Sequence, residues 1–376
     1  MGRPDVGVAW LNGAAPDWCR FANWPRGAAI AVLAAFALLL GLAVVTARPP
    51  ARSPSGMTSS GPTAARAAEV AKRDEDLRLY DRIAERVAAG DNYYRAAVEE
   101  QRARGFPVRP GLTVRLPTLA FMTAKLGQPG MIALAALLGL ALLAAWWRRL
   151  GSEPGAGDKR LVCMLLLVIG SSLALKPQYL VLHELWAGLL LSLSFALHRP
   201  GKWIGAWVAA ALALALRELA LPFVLLMGAL ALWRRDWREA VAWAVLVGLF
   251  VAGMALHLSQ ASQFVSPEDP ESPAWLVLRG LRGWTSNIQL NSVLQYLPAW
   301  LAAPLALLPL IGWVAWRSDA GVFGTLLHSG YGLFFMLAGR DNNFYWALLV
   351  IPTWFLGLAF MPRALGDLAR ASLGKT

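Results

Sequence analysis

Apolar runs long enough to cross a membrane recur along the whole chain and limit what it can fold into. A helix needs roughly 20 apolar residues to cross ~30 Å of hydrocarbon, and only helices or closed barrels satisfy their own backbone hydrogen bonds in lipid. We therefore predict an all-α fold, a polytopic transmembrane helical bundle. Its spans number about ten, at 28–46, 131–147, 161–175, 180–197, 203–216, 219–233, 240–258, 297–316, 321–338 and 344–361.

The composition agrees with a membrane protein and argues against two other classes. Hydrophobic residues make up 57% of the chain and charged residues 15%, unlike a soluble globular domain. The formal net charge is +12, but Lys and Arg cluster at the ends of apolar runs, so they do not predict a nucleic-acid-binding surface. Cys19 and Cys163 have no neighbouring cysteine at metal-binding spacing, and we predict neither a disulfide nor a zinc site.

The basic clusters set the predicted orientation, because cytoplasmic loops are enriched in Lys and Arg. Arg20 and Arg26 place the N-terminus in the cytoplasm. This requires 203–233 to form two short helices that meet at RELALP, and a single long helix is the alternative. We interpret the first span as an uncleaved anchor, with a cleavable signal peptide ending at VTA before Arg48 as the alternative. We predict a multi-pass protein of a bacterial inner membrane. Alternate crossing puts both termini and these clusters on the cytoplasmic side: WWRRLGSEPGAGDKR, HRPGKW, WRRDWRE, WRSDAG and PRALGDLARASLGKT.

The crossings also divide the chain into regions. The polar clusters that are not basic fall on the extracytoplasmic side, and we expect them to converge on one site there. The predicted regions are a cytoplasmic N-terminal segment at 1–27, a first transmembrane helix at 28–46, an extracytoplasmic loop at 47–130, a multi-span membrane domain at 131–361 and a cytoplasmic tail at 362–376.

The extracytoplasmic loop contains an acidic stretch, RDEDLRLYDRIAERVAAGDNYYRAA. Apolar spacing predicts an amphipathic helix at 67–89 and a second helix at 91–104, both suited to lie in the membrane interface. Asp76 lies four residues before Tyr80, so the two side chains share a helical face and can point into the same cleft, which makes Tyr80 a candidate substrate-binding residue. A carboxylate beside apolar walls can act as a general base, and Asp74 is the competing candidate. The alternative is an acidic first turn that complements the helix dipole.

The segment KPQYLVLHE stands at the predicted outer entrance of the fourth span. It supplies Lys176, His183 and Glu184 as candidate substrate-binding residues. Adjacent helical residues point about 100° apart, so His183 and Glu184 are not expected to share a metal ion. A carboxylate that enters lipid is unfavourable unless it has a partner, so Glu184 is expected to pair with another group. For His183 the alternative is a polar anchor at the interface.

Two arginine–carboxylate pairs complete the candidate substrate-binding residues. Arg217 and Glu218 fall at the break between two predicted spans, while Arg340 and Asp341 lie in the outer loop GRDNNFYW. A guanidinium group is suited to bind an anionic group such as a lipid phosphate. The alternatives are mutual pairing of Arg217 with Glu218 and a simple loop turn at Arg340.

Several common catalytic motifs are absent from the sequence. It has no P-loop, no G-x-S-x-G elbow and no H-E-x-x-H pair, so ATP-driven, serine-hydrolase and zincin chemistry have no support. Trp275 and Trp284, with the nearby amides of Asn287, Gln289 and Asn291, could cover a sugar in the loop 259–296.

The sequence resembles the GT-C superfamily of integral membrane glycosyltransferases, including its polyprenyl-phosphate-mannose-dependent branch. The resemblance rests on the first span and on the long outer loop, with its two interfacial helices and the early carboxylate in DLRLYDRIAERVAAGDNYY. It extends to the outer charges HE and RE. The resemblance implies sugar transfer from a polyprenyl-phosphate donor to an extracytoplasmic lipid or glycan acceptor. It makes Asp76 or Asp74 the base, with Arg217 and Arg340 on the leaving phosphate.

The resemblance requires no cofactor, because positive side chains can stabilise the leaving phosphate. A divalent cation bound by the acidic DED stretch is compatible with it. Two other classes of function remain open: a transporter or flippase of a lipid-linked or small polar substrate, and a non-catalytic scaffold. Nucleic acid is not an expected partner.

Overall fold

The computed structural model describes residues 17–47 and 77–374, and it is helical throughout these ranges, with no β-strand among them. The predicted all-α class is therefore confirmed for this part of the chain. The helices are α1 (Arg26–Thr46), α2 (77–88), α3 (Tyr93–Ala103), α4 (Thr118–Ser152), α5 (Arg160–Gly170), α6 (His183–Leu197), α7 (Ile204–Leu216), α8 (Leu221–Trp233), α9 (Trp237–Ser262), α10 (Gly280–Leu290), α11 (Ala299–Ala315), α12 (Asp319–Leu337), α13 (Ile351–Trp354) and α14 (Met361–Ser372).

Four helical segments are long and apolar enough to cross a membrane, namely Arg26–Thr46, Gly111–Ser152, Trp237–Ser262 and Asp319–Leu337. They support a membrane protein. Shorter apolar helices of 10–17 residues lie between them, and the count of about ten spans stays a prediction. The long helices α1, α4 and α9 expose many large apolar side chains, as expected of surfaces that face lipid.

Helix α6 lies at the centre of the bundle. It packs against α4 and α7 and against the segment Asp341–Leu349, and nearly all of its residues are buried. Gly188 permits the closest approach, because a Cβ there would lie 2.0 Å from the Leu348 carbonyl oxygen. The N-terminal residues of this central helix are His183 and Glu184, so the packing of α6 determines where both side chains lie.

The predicted break at RELALP is confirmed. Helix α7 ends at Leu216, Arg217 is extended (φ −152°), and a 3₁₀ turn over Glu218–Ala220 leads into α8. Pro222 lies in the first turn of α8, where a backbone N–H would have no partner within the helix, so proline is tolerated there. The far ends of both helices meet the start of α9, through Trp207 Nε1 to Ala242 O (2.8 Å) and Arg234 to Glu239 (3.3 Å), so the pair forms a hairpin.

The predicted cytoplasmic clusters meet at one end of the bundle, which we call the basic end. Arg149 donates to His198 O (2.7 Å), and His198 contacts Glu239 (2.7 Å). Trp316 Nε1 donates to Pro154 O (2.8 Å), linking a further cluster to these. The segments around Asp17 and Arg363 lie at this end too, because these two residues pair and α14 packs against α1 and α11.

The opposite end, the loop end, carries a small second core. Helices α2 and α3 bury their apolar faces against each other and against the end of α9, through Leu79, Ile83, Val98 and Ala261. The amphipathic patterns predicted within 67–89 and 91–104 are thus confirmed from residue 77 onwards, while 67–76 lies outside the described residues. Asn92 begins α3 by accepting from the N–H groups of Tyr94 and Arg95.

The region predicted as one span at 344–361 has a different structure. It consists of a 3₁₀ segment at Asp341–Leu349, the short α13 and a second 3₁₀ turn at Phe355–Ala359. Close packing accounts for part of this, because a Cβ on Gly357 would lie 2.0 Å from Pro309 O. The segment is mostly buried, and it supports α6 from the side.

Candidate functional site

Five of the predicted substrate-binding residues lie together at the loop end: Tyr80, His183, Glu184, Arg217 and Glu218. They come from α2, the N-terminus of α6 and the break between α7 and α8. Arg115, from the segment before α4, joins them. We call these six residues the Arg217 cluster.

Arg217 is the centre of this cluster. Its side chain is 1% exposed, and its Nε lies 2.8 Å from Glu184 Oε1 as an ion pair rather than a well-directed hydrogen bond. Its Nη1 also contacts Glu218. The structure therefore contains the pairing of Arg217 with Glu218 that was the alternative to phosphate binding, and it adds Glu184 as a second partner. Glu184 lies in the first turn of α6 and Arg217 caps the C-terminus of α7, so both helix dipoles favour these charges.

Arg115 was not singled out from the sequence. Its Nε donates to the hydroxyl of Tyr80 (3.3 Å), and its charge interacts with Glu184 and Glu218. The hydroxyl of Tyr93 donates to the Arg115 carbonyl (2.6 Å) and holds this backbone in place. The sequence position of Arg115, just before a long apolar run, could have identified it as a candidate. An arginine at such a position lies in the membrane interface beside the other outer charges.

His183 is buried with unused hydrogen-bonding capacity. It is 4% exposed, and neither ring nitrogen has a hydrogen-bond partner among the described residues. Its ring packs edge-on against Tyr80, with centroids 5.1 Å apart. A cavity of about 30 Å³, room for about two waters, is lined by Tyr80, Arg115 and His183 together with apolar residues of α2 and α4. A water or a substrate hydroxyl in this cavity would find polar partners.

The charges of the Arg217 cluster balance. Two guanidinium groups, Arg115 and Arg217, face two carboxylates, Glu184 and Glu218. Such buried networks are stable only when every member keeps a partner. Glu218 is the more exposed carboxylate, at 24% against 7% for the Glu184 side chain. Of the two carboxylates, Glu218 is therefore the one more accessible from outside the cluster.

The two candidate bases, Asp76 and Asp74, lie outside the described residues. Asp76 immediately precedes Leu77, where the description of α2 begins. Asp81, the next carboxylate along the chain, is exposed on α2. Desolvation of the Asp81 carboxyl by neighbouring protein atoms and the nearby Glu85 charge raise the pKa of Asp81 above its usual range. Asp81 does not line the cavity.

The remaining predicted residues lie apart from this cluster. Lys176 is exposed, with its Nζ 6.0 Å from the ring centre of Tyr179. Arg340 contacts the hydroxyl of Ser272 (3.4 Å). Asp341 pairs with Arg279 (3.0 Å) and Arg282 (3.1 Å) in a second cluster.

The second cluster is nevertheless a neighbour of the first. The turn Glu218–Ala220 packs against Asp341–Leu349. The hydroxyl of Tyr331 in α12 donates to Leu219 O (2.7 Å) in the same turn. Both clusters therefore belong to the loop end.

No group of three or more His, Cys, Asp or Glu side chains suited to a metal ion occurs in the described ranges. The DED stretch, the predicted place for a divalent cation, covers Asp74–Asp76 and falls outside them. Cys19 and Cys163 are free and buried. A requirement for a metal ion or another cofactor therefore stays a matter of prediction.

No protein-family model, curated protein or solved structure matches the chain. The function has to be argued from the Arg217 cluster and its surroundings.

Proposed function

We propose that this protein is an inverting glycosyltransferase that moves a sugar from a polyprenyl-phosphate donor to an extracytoplasmic lipid or glycan acceptor. In this proposal the bundle crosses a bacterial inner membrane about ten times, with the basic end in the cytoplasm and the loop end outside. The enrichment of Lys and Arg at the basic end supports this orientation.

The observation that carries the proposal is the placement of Arg115 and Arg217 near the buried imidazole of His183, whose ring nitrogens have no hydrogen-bond partner in the described part of the chain. Guanidinium groups bind phosphate oxygens through paired hydrogen bonds, and in a site with little water they stabilise a leaving phosphate. Glu218, the more exposed carboxylate, would give up its place on Arg217 to the donor phosphate. Arg115 would then balance Glu184.

The proposed reaction is a single displacement. Asp76, or Asp74 as the competing base, takes the proton of the acceptor hydroxyl. The acceptor oxygen then forms a bond to the anomeric carbon, while the bond from that carbon to the phosphate oxygen breaks and the polyprenyl phosphate leaves with the electron pair. Attack opposite to the leaving group inverts the anomeric configuration. Tyr80 and His183 would orient the sugar or the acceptor through a single hydroxyl that enters the cavity.

A complementation experiment tests the proposal whichever sugar is transferred. Cells that lack the gene are expected to accumulate a lipid-linked sugar, detected by mass spectrometry of extracted lipids. Expression of the wild-type chain should remove the accumulated lipid-linked sugar. Expression of Asp81→Asn, the matched control on the exposed side of α2, should do the same. Asp76→Asn should not, although the protein inserts normally. Full clearance by both Asp76→Asn and Asp74→Asn, or no accumulation at all, would contradict the proposal.

A transporter or flippase is the second candidate, and the charge balance of the Arg217 cluster favours it. A buried network with equal numbers of both charges can exchange partners as a substrate or proton passes, and such residues mark pathways in membrane proteins. Transport predicts uptake of a labelled lipid-linked sugar into proteoliposomes with no new covalent bond. Sugar transfer predicts a new glycosidic product under the same conditions.

A further inference from the structure

Arg279 and Arg282 form a second charged cluster at the loop end, where α10 begins. Both guanidinium groups contact the carboxylate of Asp341, at 3.0 and 3.1 Å. Arg279 also donates to Asn287 Oδ1 (3.0 Å) and Ser286 Oγ (3.1 Å). We call these five residues the Arg279 cluster.

The charges of the Arg279 cluster do not balance. Two guanidinium groups share the single carboxylate of Asp341, which leaves one positive charge. The Arg279 side chain is 7% exposed, whereas those of Arg282 and Asp341 reach the surface. Since the guanidinium group of Arg282 contacts Asp341 through one of its nitrogens, most of its five N–H donors remain available to a ligand.

A buried amide beside Arg279 has an unused donor. Asn287 is 1% exposed and uses its Oδ1 to accept from Arg279, while its Nδ2 has no hydrogen-bond partner among the residues described. A buried donor without a partner is unfavourable, because it has lost its hydrogen bonds to water and gained none from the protein. An acceptor at this place, such as a phosphate oxygen or a water that bridges to one, would satisfy it.

Exposed apolar side chains precede the cluster. The extended segment before α10 presents Leu276 and Leu278 to the surface. This segment is held to the end of α12, because Arg279 N donates to Met336 O (2.8 Å) and Gly339 N donates to Trp275 O (2.7 Å). Helix α12 is one of the four candidate spans, so the segment lies where the headgroups of a bilayer would begin.

From this combination we propose that the Arg279 cluster binds the headgroup of a phospholipid with one net negative charge. The phosphodiester would accept from Arg282 and Arg279, and its charge would match the unbalanced positive charge. The acyl chains would cover Leu276 and Leu278. This inference does not depend on sugar transfer, because it concerns a resident lipid beside the Arg217 cluster rather than a reactant.

Native mass spectrometry of the full-length protein tests the inference. The protein is exchanged into detergent containing equal amounts of phosphatidylglycerol and phosphatidylcholine with the same acyl chains. The wild type should retain phosphatidylglycerol selectively, and Arg282→Gln should lower that retention roughly tenfold. Arg82→Gln, which removes an exposed arginine paired with Glu85 on α2, is the matched control and should retain as much as the wild type.

Two further arms separate a lipid site from a site for free anions. Inorganic phosphate in large excess should fail to displace phosphatidylglycerol, because it lacks the apolar contact. Leu278→Ser should weaken retention while leaving the fold intact, since this side chain is exposed. Equal retention by Arg282→Gln and the wild type, equal loss in Arg82→Gln, or displacement by inorganic phosphate would each overturn the inference. Arg279 is left unchanged because it is buried and supports the local fold.

Discussion

The Arg217 cluster and the Arg279 cluster use the same kinds of side chain at the same end of the bundle, but they differ in burial and charge. Arg217 is buried between Glu184 and Glu218, with Arg115 as a second cation, and the charges cancel. In the Arg279 cluster two arginines share Asp341, whose side chain is 53% exposed. One cluster is a closed network inside the protein, and the other is open toward the surface.

This difference predicts two different responses to mutation. In a closed network, removal of one charge leaves another charge buried without a partner, so the fold is weakened. In an open cluster, solvent replaces the lost partner, so the fold is little affected and ligand binding changes instead. Changes in each cluster therefore separate a structural role from a binding role.

The largest expected effect is that of Arg217→Gln. It leaves Glu184 buried without its ion-pair partner and should lower the free energy of unfolding by about 3–5 kcal/mol, measured by thermal unfolding in detergent. Adding Glu184→Gln should recover part of the loss, because two neutral amides can hydrogen-bond. Arg282→Gln, the matched change in the open cluster, should alter stability by less than about 1 kcal/mol. Similar losses for Arg217→Gln and Arg282→Gln would remove the distinction between the clusters.

A change at Asp269 should have the next largest effect on stability, since this residue binds the loop between α9 and α10 to α3. Arg102 binds it through two nitrogens, which lowers the pKa of this carboxyl below its usual range. The stabilisation is present above the unfolded pKa of about 3.9 and is lost as pH falls through the lower folded value.

Asp269→Asn should therefore destabilise the protein at pH 7 and converge with the wild type in acid. The measurement is thermal unfolding of both proteins in the same detergent between pH 7 and pH 2, and the difference should narrow only below the unfolded pKa of about 3.9. A gap that stays constant over this range would show that the ion pair is not the cause.

Tyr80→Phe should have a smaller effect on the closed cluster. It removes the hydroxyl that accepts from Arg115 but keeps the ring against His183. A loss of about 0.5–1.5 kcal/mol in unfolding free energy is expected. Lipid-linked sugar in the complemented deletion cells should fall more slowly than with the wild type. Complete loss of folding would mean that Arg115 depends on this hydroxyl more than a single hydrogen bond allows.

Asp341→Asn should have the smallest effect on stability, because the new amide oxygen can still accept from the buried Arg279, which also keeps its hydrogen bonds to Asn287 and Ser286. Its effect on binding should have the opposite sign to that of Arg282→Gln. Removing the one negative charge raises the positive charge of the open cluster, so the variant should retain more phosphatidylglycerol in the native mass spectrum. Lower retention would indicate that Asp341 orients the arginines and that charge alone does not decide the binding.

Local patterns in the sequence were sufficient for part of the fold. The apolar spacing in α2 and the polar break at Arg217 to Pro222 predicted two features that the structure contains. Both depend on nearby residues, through helical periodicity and through the limits that proline places on a helix. The candidates His183, Glu184, Arg217 and Glu218 were also found this way, because charges at the ends of apolar runs are unfavourable unless they have a use.

The broken segment at 341–359 could not be predicted from those local patterns. Its hydropathy resembles that of a span, yet it is divided into short turns that pack against α6 and α11. Contacts between distant glycines, such as Gly312 against the Gly357 carbonyl, decide this geometry. Hydropathy measures preference for an apolar environment, and it does not distinguish lipid from protein interior.

The sequence by itself determined that the chain is helical, that its apolar helices suit a membrane, and where charged groups interrupt them. Only the tertiary structure decided which charges meet: Arg217 met Glu184, while Asp341 met Arg279 and Arg282. The physical reason is the distance along the chain over which each kind of interaction acts. Helix formation and membrane preference are set by neighbouring residues, whereas the partners of a buried charge come from helices far apart in the chain that packing alone brings together.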